Sequence, residues 1–591
     1  MNETAIATAT GSVGASSNSA GAIPFRVRVG VTGHRVLPEP ELLGERVRQA
    51  LARIESLAPA SPYTPLRMGV VSPLAEGADR LVAQEAIDDE RATLEVPLPL
   101  PVDDYVTDFV TEASRVEFQR LLDEAGVITL LPPTVDRDAA YEQVGRYVVD
   151  RCDVLIALWD GNPARGYGGT ADIVERARAQ KVPLLWIHTT APYEITEELG
   201  DGISRAAFDE LDVYNRSALN QARFQRDMRG EADRYAGAAE KAGLGTAIVQ
   251  PFLTWIWAYF ARADSLAVRF QTLYVRFAMA QFLLGAGAVT VVAAQLLFFP
   301  TFPQLAWLEV AIMLSLLVIL YISRRWSLHE RWISHRYLAE QFRTAFFLAL
   351  AGVGDSRQLT GERVSSGHGA EEWMDRAYDV VWSQRPDARA AESRLAELKQ
   401  FLGTFWIIDQ RNYHEKVSHR NERKHQRLTT ASAVLFGITL LAAVLHALGV
   451  GHESHGESHA QSNPSGATFA SATYIYTEYS VLREEPPPSA PASSGGYAST
   501  LNLTNLLSFL AIVMPAVAGA LGGIHAQREY HRNAERFGRM VPVLDAANRR
   551  LQRATDPAAL QIVVQDVENL LLDEVRDWFV VMRFHDIELH V

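Results

Sequence analysis

The chain has 591 residues, of which 21% are charged, and a net charge of −14. This length suits roughly three to four domains, and the acidic balance argues against non-specific nucleic-acid binding, which needs a basic surface. A single cysteine, Cys152, excludes an internal disulfide and a cysteine-rich metal site. Residues 1–23 are rich in Ala, Ser, Thr and Gly, without a basic start or an apolar core. They predict a disordered tail rather than a signal peptide.

Short apolar runs, most of them separated by helical patterns, occupy the next part of the chain. They are Phe25–Val31, Leu66–Val71, Leu94–Leu98, Val127–Leu131, Val154–Trp159 and Pro183–Ile187. Strands that alternate with helices predict an α/β, Rossmann-like parallel sheet with helices on both faces. In such sheets ligands bind where the carboxyl ends of strands meet helix N-termini. We therefore expect a ligand-binding domain over residues 24–195.

Three glycine-containing turns at predicted strand ends carry residues suited to a nucleotide. The candidate ligand-binding residues are Gly33, His34, Arg35, Glu76, Gly77, Asp79, Asp160, Gly161, Gly168, Gly169, Thr170, Asp172 and Glu175. Arg35 and the bare amides of Gly169 and Thr170 could hold a phosphate, and Glu76 or Asp79 could bind a ribose hydroxyl. One glycine turn is weak evidence, but three turns at the strand ends of one domain favour a binding site.

The same three turns resemble the SLOG superfamily of Rossmann-like domains, over about residues 25–190. The motifs are GVTGHR at 30–35, SPLAEGADRL at 72–81 and CDVLIALWDG followed by GYGGTADIVERA over 152–177. The resemblance implies a nucleotide-processing enzyme or a sensor of nucleotide-derived signals. In the related LOG phosphoribohydrolases a glutamate follows the motif threonine by three residues, whereas Glu175 follows Thr170 by five and faces another side of the helix. This spacing favours sensing, with Glu175 or Asp172 as acid/base in the enzymatic alternative.

Four apolar segments are long enough to cross a bilayer. They are Phe277–Phe299, Gln304–Ser323, Leu428–Gly449 and Asn505–Ile524. Arginine and lysine residues flank these segments on one side, which predicts a multi-pass inner-membrane protein with both termini in the cytoplasm. The apolar stretch Thr246–Phe260 is short for a span and predicts a buried or interfacial helix.

The outer loop predicted at 450–500 contains three histidines, His452, His455 and His459. No cysteine or defined ligand geometry accompanies them, so a solvated polar linker is the better interpretation than a metal site. We predict no metal and no cofactor besides the nucleotide-derived ligand.

Each pair of predicted spans is followed by a basic, amphipathic stretch that contains Ala-Glu-x-Phe, at 339–342 and 534–537. Together with the charged segment at 406–413 and the helix predicted at 568–578, these stretches resemble the SLATT superfamily of two-span membrane effector domains. Such domains are typically coupled to SLOG or nucleotide-synthesising partners in prokaryotic conflict systems. The resemblance implies a pore-forming or membrane-perturbing effector that is switched by a nucleotide signal. In the simplest alternative, the spans are only an anchor.

The predicted organisation has an α/β domain followed by an all-α transmembrane bundle with about four spans and long cytoplasmic helices. Its segments are a tail at 1–23, the SLOG-like domain at 24–195, a helical connector at 196–254, a SLATT-like unit at 255–350, a cytoplasmic linker at 351–400 and a second unit at 401–591. We expect a nucleotide or ADP-ribose-like ligand to favour a homo-oligomer that perturbs the membrane in antiviral defence. The alternatives are a membrane-anchored nucleotide-processing enzyme and a channel or transporter with a regulatory nucleotide domain.

Overall fold

A computed structural model describes residues 20–88, 92–163, 169–200, 202–354, 372–450 and 503–583, with side chains through residue 576. The chain divides into two compact units. Unit 1 is Met1–Tyr274, Trp326–Ser418 and Glu535–Val591, and unit 2 is Val275–Arg325 and His419–Ala534. Gly168 and the loop histidines His452, His455 and His459 lie outside the described residues.

Unit 1 contains a seven-stranded sheet in the order β4-β3-β2-β1-β5-β6-β7. The strands are β1 Phe25–Gly33, β2 Leu66–Val71, β3 Ala92–Leu98, β4 Val127–Leu130, β5 Val154–Trp159, β6 Leu184–His188 and β7 Ile195–Glu198. All neighbours pair in parallel except β6 and β7. The predicted α/β sheet is confirmed, and every predicted apolar run forms a strand. The sequence did not predict β7, because Ile-Thr-Glu-Glu is short and largely polar.

Helices between the strands cover the sheet. They are α1 Pro40–Leu57, α2 Ala78–Ile87, α3 Glu112–Asp123, α4 Arg137–Arg151 and α5 Thr170–Ala179, with short turns at Val102–Tyr105 and Val106–Asp108. All six residues of β5 are buried, as expected of a central parallel strand with helices on both faces. Strand β1 pairs with β2 on one side and β5 on the other. The strand order reverses at β1, and open α/β sheets bind ligands outside the carboxyl ends of the strands at such a point, here β1 and β5.

The rest of the described chain is helical. The helices are α6 Arg205–Arg216, α7 Gln221–Lys241, α8 Thr246–Phe298, α9 Leu305–Arg325, α10 Leu328–Leu350, α11 Glu372–Trp382, α12 Ile408–Ala447, α13 Leu503–Arg528, α14 Tyr530–Arg553 and α15 Pro557–Arg583. Shorter helices lie at Arg389–Glu392 and Leu395–Phe401, and a π-helix at Leu402–Ile407 leads into α12.

Helix α11 belongs to unit 1 and packs on the sheet, although it arises from the predicted linker. Its Asp379 carboxylate accepts from Arg28 of β1 over 3.1 Å, and Arg376 pairs with Asp153, next to β5. The last residues of the helix, Val380, Val381 and Trp382, are apolar and buried. The C-terminal part of the chain therefore contributes directly to the core around the sheet.

Four helical segments are long and apolar enough to cross a membrane, which confirms the predicted number of candidate spans. They are Thr246–Phe298, Leu305–Arg325, Leu395–Ala447 and Leu503–Arg553. Each segment contains an apolar stretch of 18 residues, and at most 17% of that stretch is buried within the protein. Such exposure of apolar side chains is expected of surfaces that face lipid. The stretch Thr246–Phe260 is the first part of α8, where Val249, Phe252 and Ile256 are buried, and it forms no separate candidate span among the described residues.

The two Ala-Glu-x-Phe stretches have different surroundings. Glu340 is buried in α10, where it pairs with Arg336 over 2.5 Å and with Arg343. Glu535 of α14 is exposed and pairs with Arg539 over 3.3 Å. The glutamate of the first stretch is therefore part of a buried ion-pair cluster, whereas the glutamate of the second stretch lies at the surface.

Candidate ligand site at the sheet switch point

The turns that follow β1 and β2 pack directly against each other. A Cβ atom on Gly33 would lie 2.5 Å from the Ala78 Cβ and 2.6 Å from the Leu158 carbonyl oxygen. Gly77 has a φ of +82°, and a Cβ there would overlap the carbonyl oxygens of His34 and Arg35. Protein atoms fill the space beside both glycines, so close packing of the two turns requires them. Their part in ligand binding stays a prediction.

The His34 side chain crosses from the end of β1 to the end of β5. Its Nε2 atom lies 3.1 Å from the Asp160 backbone nitrogen and 3.1 Å from the Asp160 Oδ1 atom. A neutral Nε2 accepts from the amide, whereas a protonated Nε2 donates to the carboxylate. The structure therefore brings two predicted site residues together at the point where the strand order reverses.

The Asp160 carboxylate is held by the turn after β5. Asn162 donates to it from its backbone nitrogen over 3.0 Å and from its side-chain Nδ2 over 2.8 Å. These hydrogen bonds, with a smaller contribution from His34, lower the pKa of Asp160 to about 2. Asp160 is thus an ionised, half-buried acceptor, suited to hydroxyl or other donor groups of a ligand.

An aromatic surface borders this turn. Gly161 has a φ of +84°, and a Cβ there would lie 3.3 Å from the Trp186 ring. Trp186 stacks on His188 with 3.9 Å between ring centroids, and its Nε1 donates to the Trp159 carbonyl over 2.9 Å. A planar apolar surface beside an ionised acceptor is a common arrangement in small-molecule sites.

Asp79 is buried in the first turn of α2, with 7% of its surface exposed. Burial raises the pKa of its carboxyl to about 7, although a hydrogen bond from the Ala75 amide and the nearby Arg35 and Arg80 act in the opposite direction. Tyr105 is close enough for Asp79 to raise its pKa, which burial already shifts upward. Asp79 therefore changes charge near neutral pH inside the fold.

Glu76 and Arg35, the other two predicted polar residues of these turns, differ in how firmly other protein groups hold them. Glu76 accepts from the Ser114 hydroxyl at the start of α3, which ties it to the protein. Arg35 is exposed, and its guanidinium carbon lies 5.5 Å from the centroid of the Tyr141 ring. Arg35 is thus better placed than Glu76 to reach a ligand.

Helix α5 begins at the predicted phosphate motif. Gly169 is its N-cap in an extended conformation, and glycine has no side chain with which to cap the helix. Asp172 and Glu175 are exposed on α5, and Glu175 acts electrostatically on Arg178. An uncapped helix start offers amides to an anion. The structure therefore places both acids on the helix that begins at the predicted phosphate motif.

Asn162, Trp186 and His188 of this region were missed by the sequence analysis. Asn162 stands two residues after Asp160, a spacing typical of a local side-chain-to-backbone turn, so the sequence did contain a signal for it. Trp186 and His188 lie within an apolar strand run and are adjacent to Gly161 only through pairing of β5 with β6.

No protein-family model and no curated protein matches this chain.

Proposed function

We propose that unit 1 binds a nucleotide-derived anion in the crevice between β1 and β5, and that binding changes the state of the membrane helices. The observation that carries the proposal is the His34–Asp160 contact. It joins the ends of the two strands at which the sheet order reverses, and open α/β sheets bind ligands at that position.

The chemistry of the surrounding groups supports a phosphate-containing ligand with polar and planar parts. The amides at the start of α5 and the exposed Arg35 would bind phosphate oxygens. The ionised Asp160 would accept from ribose hydroxyls, and the Trp186–His188 stack offers a surface for a base. ADP-ribose-like molecules and other nucleotides combine these three features.

Contacts within unit 1 supply a physical connection from the sheet to helix α8, which continues into the first candidate span. Arg28 of β1 donates to Asp379 of α11, and two residues further along the same helix the Val381 carbonyl accepts from Trp255 Nε1 of α8 over 2.8 Å. A ligand acts through such a connection only if it binds two arrangements of these contacts with different affinity.

The effector part of the proposal comes from the SLATT resemblance. On the basis of this resemblance, ligand binding favours a homo-oligomer whose candidate spans perturb the inner membrane during antiviral defence. The basic residues that follow α9 and precede the third span, such as Arg324, Arg325 and Arg427, place both termini in the cytoplasm under the same proposal.

Calorimetry on the full-length protein tests the binding step. Titration with ADP-ribose, mononucleotides and cyclic dinucleotides should identify a ligand that binds the native chain, and Arg35→Ala should weaken it about tenfold or more because a charge-assisted contact is lost. Arg205→Ala, which removes an arginine that is 83% exposed on α6, is the matched control and should bind normally. Equal affinity of Arg35→Ala and the native chain would remove Arg35 from the site.

Dye release from vesicles containing the full-length protein tests the effector step. The proposal expects release after ligand addition, with the ligand recovered intact. Deletion of the fourth span, 505–524, should abolish release. Release that is independent of every bound ligand contradicts the coupling.

A membrane-anchored nucleotide-processing enzyme is the second candidate, and Asp79 is the observation that favours it. A carboxyl group with a pKa of about 7 can exchange a proton near neutral pH, as general acid/base catalysis requires. This alternative expects breakdown of the ligand by the native chain and loss of turnover in Asp79→Asn, or in Glu175→Gln if that residue is the base. Under the sensor proposal, both variants still permit dye release at saturating ligand.

A further inference from the structure

Unit 2 contains three histidines from three helices at one place. His425 of α12 and His525 of α13 face each other, with 2.7 Å between the Nδ1 and Nε2 atoms. The His531 ring of α14 stacks on His425 with 4.8 Å between ring centroids. His425 precedes the predicted third span and His525 follows the fourth, so the cluster links the ends of two spans.

The contact between His425 and His525 depends on the charge of the rings. Two imidazole nitrogens 2.7 Å apart share one proton in a hydrogen bond, so at least one of them must carry a lone pair. If both rings become imidazolium ions, the two nitrogens both carry protons and the hydrogen bond is lost. The two charges then repel each other over a distance of about 5 Å.

The surroundings of the cluster add to this repulsion. Lys424 and Arg528 lie 5.5 and 5.9 Å from the Tyr530 ring, next to the cluster. The other ionisable groups that act on His525 are His425 and His531, both of which would carry positive charge in acid. Two carboxylates flank the cluster in sequence: Glu529 pairs with Arg532 over 3.3 Å, and Glu422, one turn before His425 on α12, accepts from Gln426 Nε2 over 2.8 Å.

The backbone between α13 and α14 is a point at which the two helices can change their relative orientation. Glu529 has a φ of +43°, a left-handed conformation that is unfavourable for a residue with a side chain. Helices α13 and α14 are therefore two segments joined at a strained residue, with His525 before the join and His531 after it.

We propose that His425, His525 and His531 form a proton-operated latch that holds the middle of α12, the end of α13 and the start of α14 together when neutral and releases them when protonated. Among the described residues no group of three or more His, Cys, Asp and Glu side chains is arranged to hold a metal ion, so protons are the favoured ligand. Histidine has an ordinary pKa of about 6.5, which places the release in mildly acidic conditions.

Distance measurements between two spin labels test the latch in the full-length protein in lipid vesicles. Cysteines replace Gln426 of α12 and Ala526 of α13, which are exposed neighbours of His425 and His525, in a Cys152→Ala background. We expect a short, narrow distance distribution at pH 8 that becomes longer and broader in acid, with a midpoint between about pH 5 and 7. An unchanged distribution from pH 8 to pH 5 overturns the proposal.

Variants distinguish the cluster from other acid-sensitive groups. His525→Gln and His425→Gln should each remove the acid-dependent shift, whereas His419→Gln, which replaces an exposed histidine elsewhere on α12, should retain it. Retention of the shift in both cluster variants also overturns the latch. A shift at constant pH 8 that requires added Zn²⁺ and disappears with chelator would assign the cluster to a metal instead. No nucleotide is added, so the result is independent of the proposed ligand site.

Discussion

The Arg376 guanidinium donates to both oxygens of the Asp153 carboxylate, over 2.5 and 2.9 Å. The same carboxylate accepts from the Arg28 backbone nitrogen over 2.8 Å, so one side chain joins α11, β1 and the start of β5. Burial opposes the charge on Arg376, but Asp153 and Glu372 outweigh this effect and raise the pKa of the guanidinium. Separate segments of the chain are thus held together by a buried ion pair.

Asp153→Ala should destabilise unit 1 by about 3–5 kcal/mol, because it leaves the Arg376 charge buried without its main partner. The apparent Tm of the full-length protein in detergent measures this effect. Asp387→Ala removes the exposed partner of Arg389 and should change stability by no more than about 1 kcal/mol. Equal losses of Tm in the two variants would contradict a structural role for the Asp153 pair.

Gly77→Ala should destabilise the fold and disturb the turn at 33–35, because the new methyl group overlaps two backbone oxygens. Gly202→Ala is the matched control, since Gly202 also has a positive φ, +76°, but has nothing within 4 Å of its Cβ position. The conformational cost of about 1–2 kcal/mol is common to both variants, so the Tm difference between them measures the overlap. The prediction fails if Gly202→Ala is equally destabilised.

Acid should destabilise unit 1 through His335 of α10, which is buried against Tyr214 and Trp373. Burial lowers the pKa of His335 to about 4, below the value of about 6.5 in the unfolded chain. The folded state therefore favours the neutral ring. This contribution, on the order of 3 kcal/mol, is complete above pH 6.5 and is lost as the pH falls towards 4.

Replacing His335 by Phe keeps a ring against Tyr214 but removes the titration, so the Tm should fall less between pH 6.5 and 4 than in the native chain. His419→Gln, at an exposed position, should keep the native pH dependence. If Tm changes with pH equally in His335→Phe and in the native chain, His335 is not the source of the acid destabilisation.

Asp79 should make unit 1 less stable as the pH rises, which is the opposite of the effect of His335. Its pKa is raised from 3.8 to about 7, so the folded state favours the neutral acid. The associated stability is complete below pH 4 and is lost as the pH rises to 7. Asp79→Asn stays neutral at every pH and should therefore gain Tm relative to the native chain as the pH rises from 4 to 8, whereas the exposed Asp103→Asn should not. A constant difference over this range would show that Asp79 does not titrate as the burial argument requires.

The proposed topology predicts where reporters will be found. Cytoplasmic reporters fused after Gly354 and after Val591 should be active, and a reporter fused at Ser465 should report the external side. The fusion at Ser465 serves as the control for the other two. An external C-terminus would mean an odd number of crossings and would exclude the proposed orientation.

Residue periodicity alone determined much of the fold. Six apolar runs separated by helical patterns predicted the parallel sheet, because central strands in such sheets are buried on both faces. The four candidate spans were equally evident, since about 20 consecutive apolar residues have few other uses. Glycine turns also identified the ends of β1 and β5, the two strands at which the sheet order reverses.

Tertiary structure decided the roles of individual residues. Gly33 and Gly77 were predicted as ligand-binding residues, but only the contact between the two turns shows that protein atoms fill the space beside them. The packing of α11 on the sheet, and the histidine cluster of α12, α13 and α14, join residues far apart in sequence. Such pairings depend on how helices pack in three dimensions. The residue pattern of one helix specifies which of its faces is apolar. It does not specify which distant side chain will contact the polar residues of that helix.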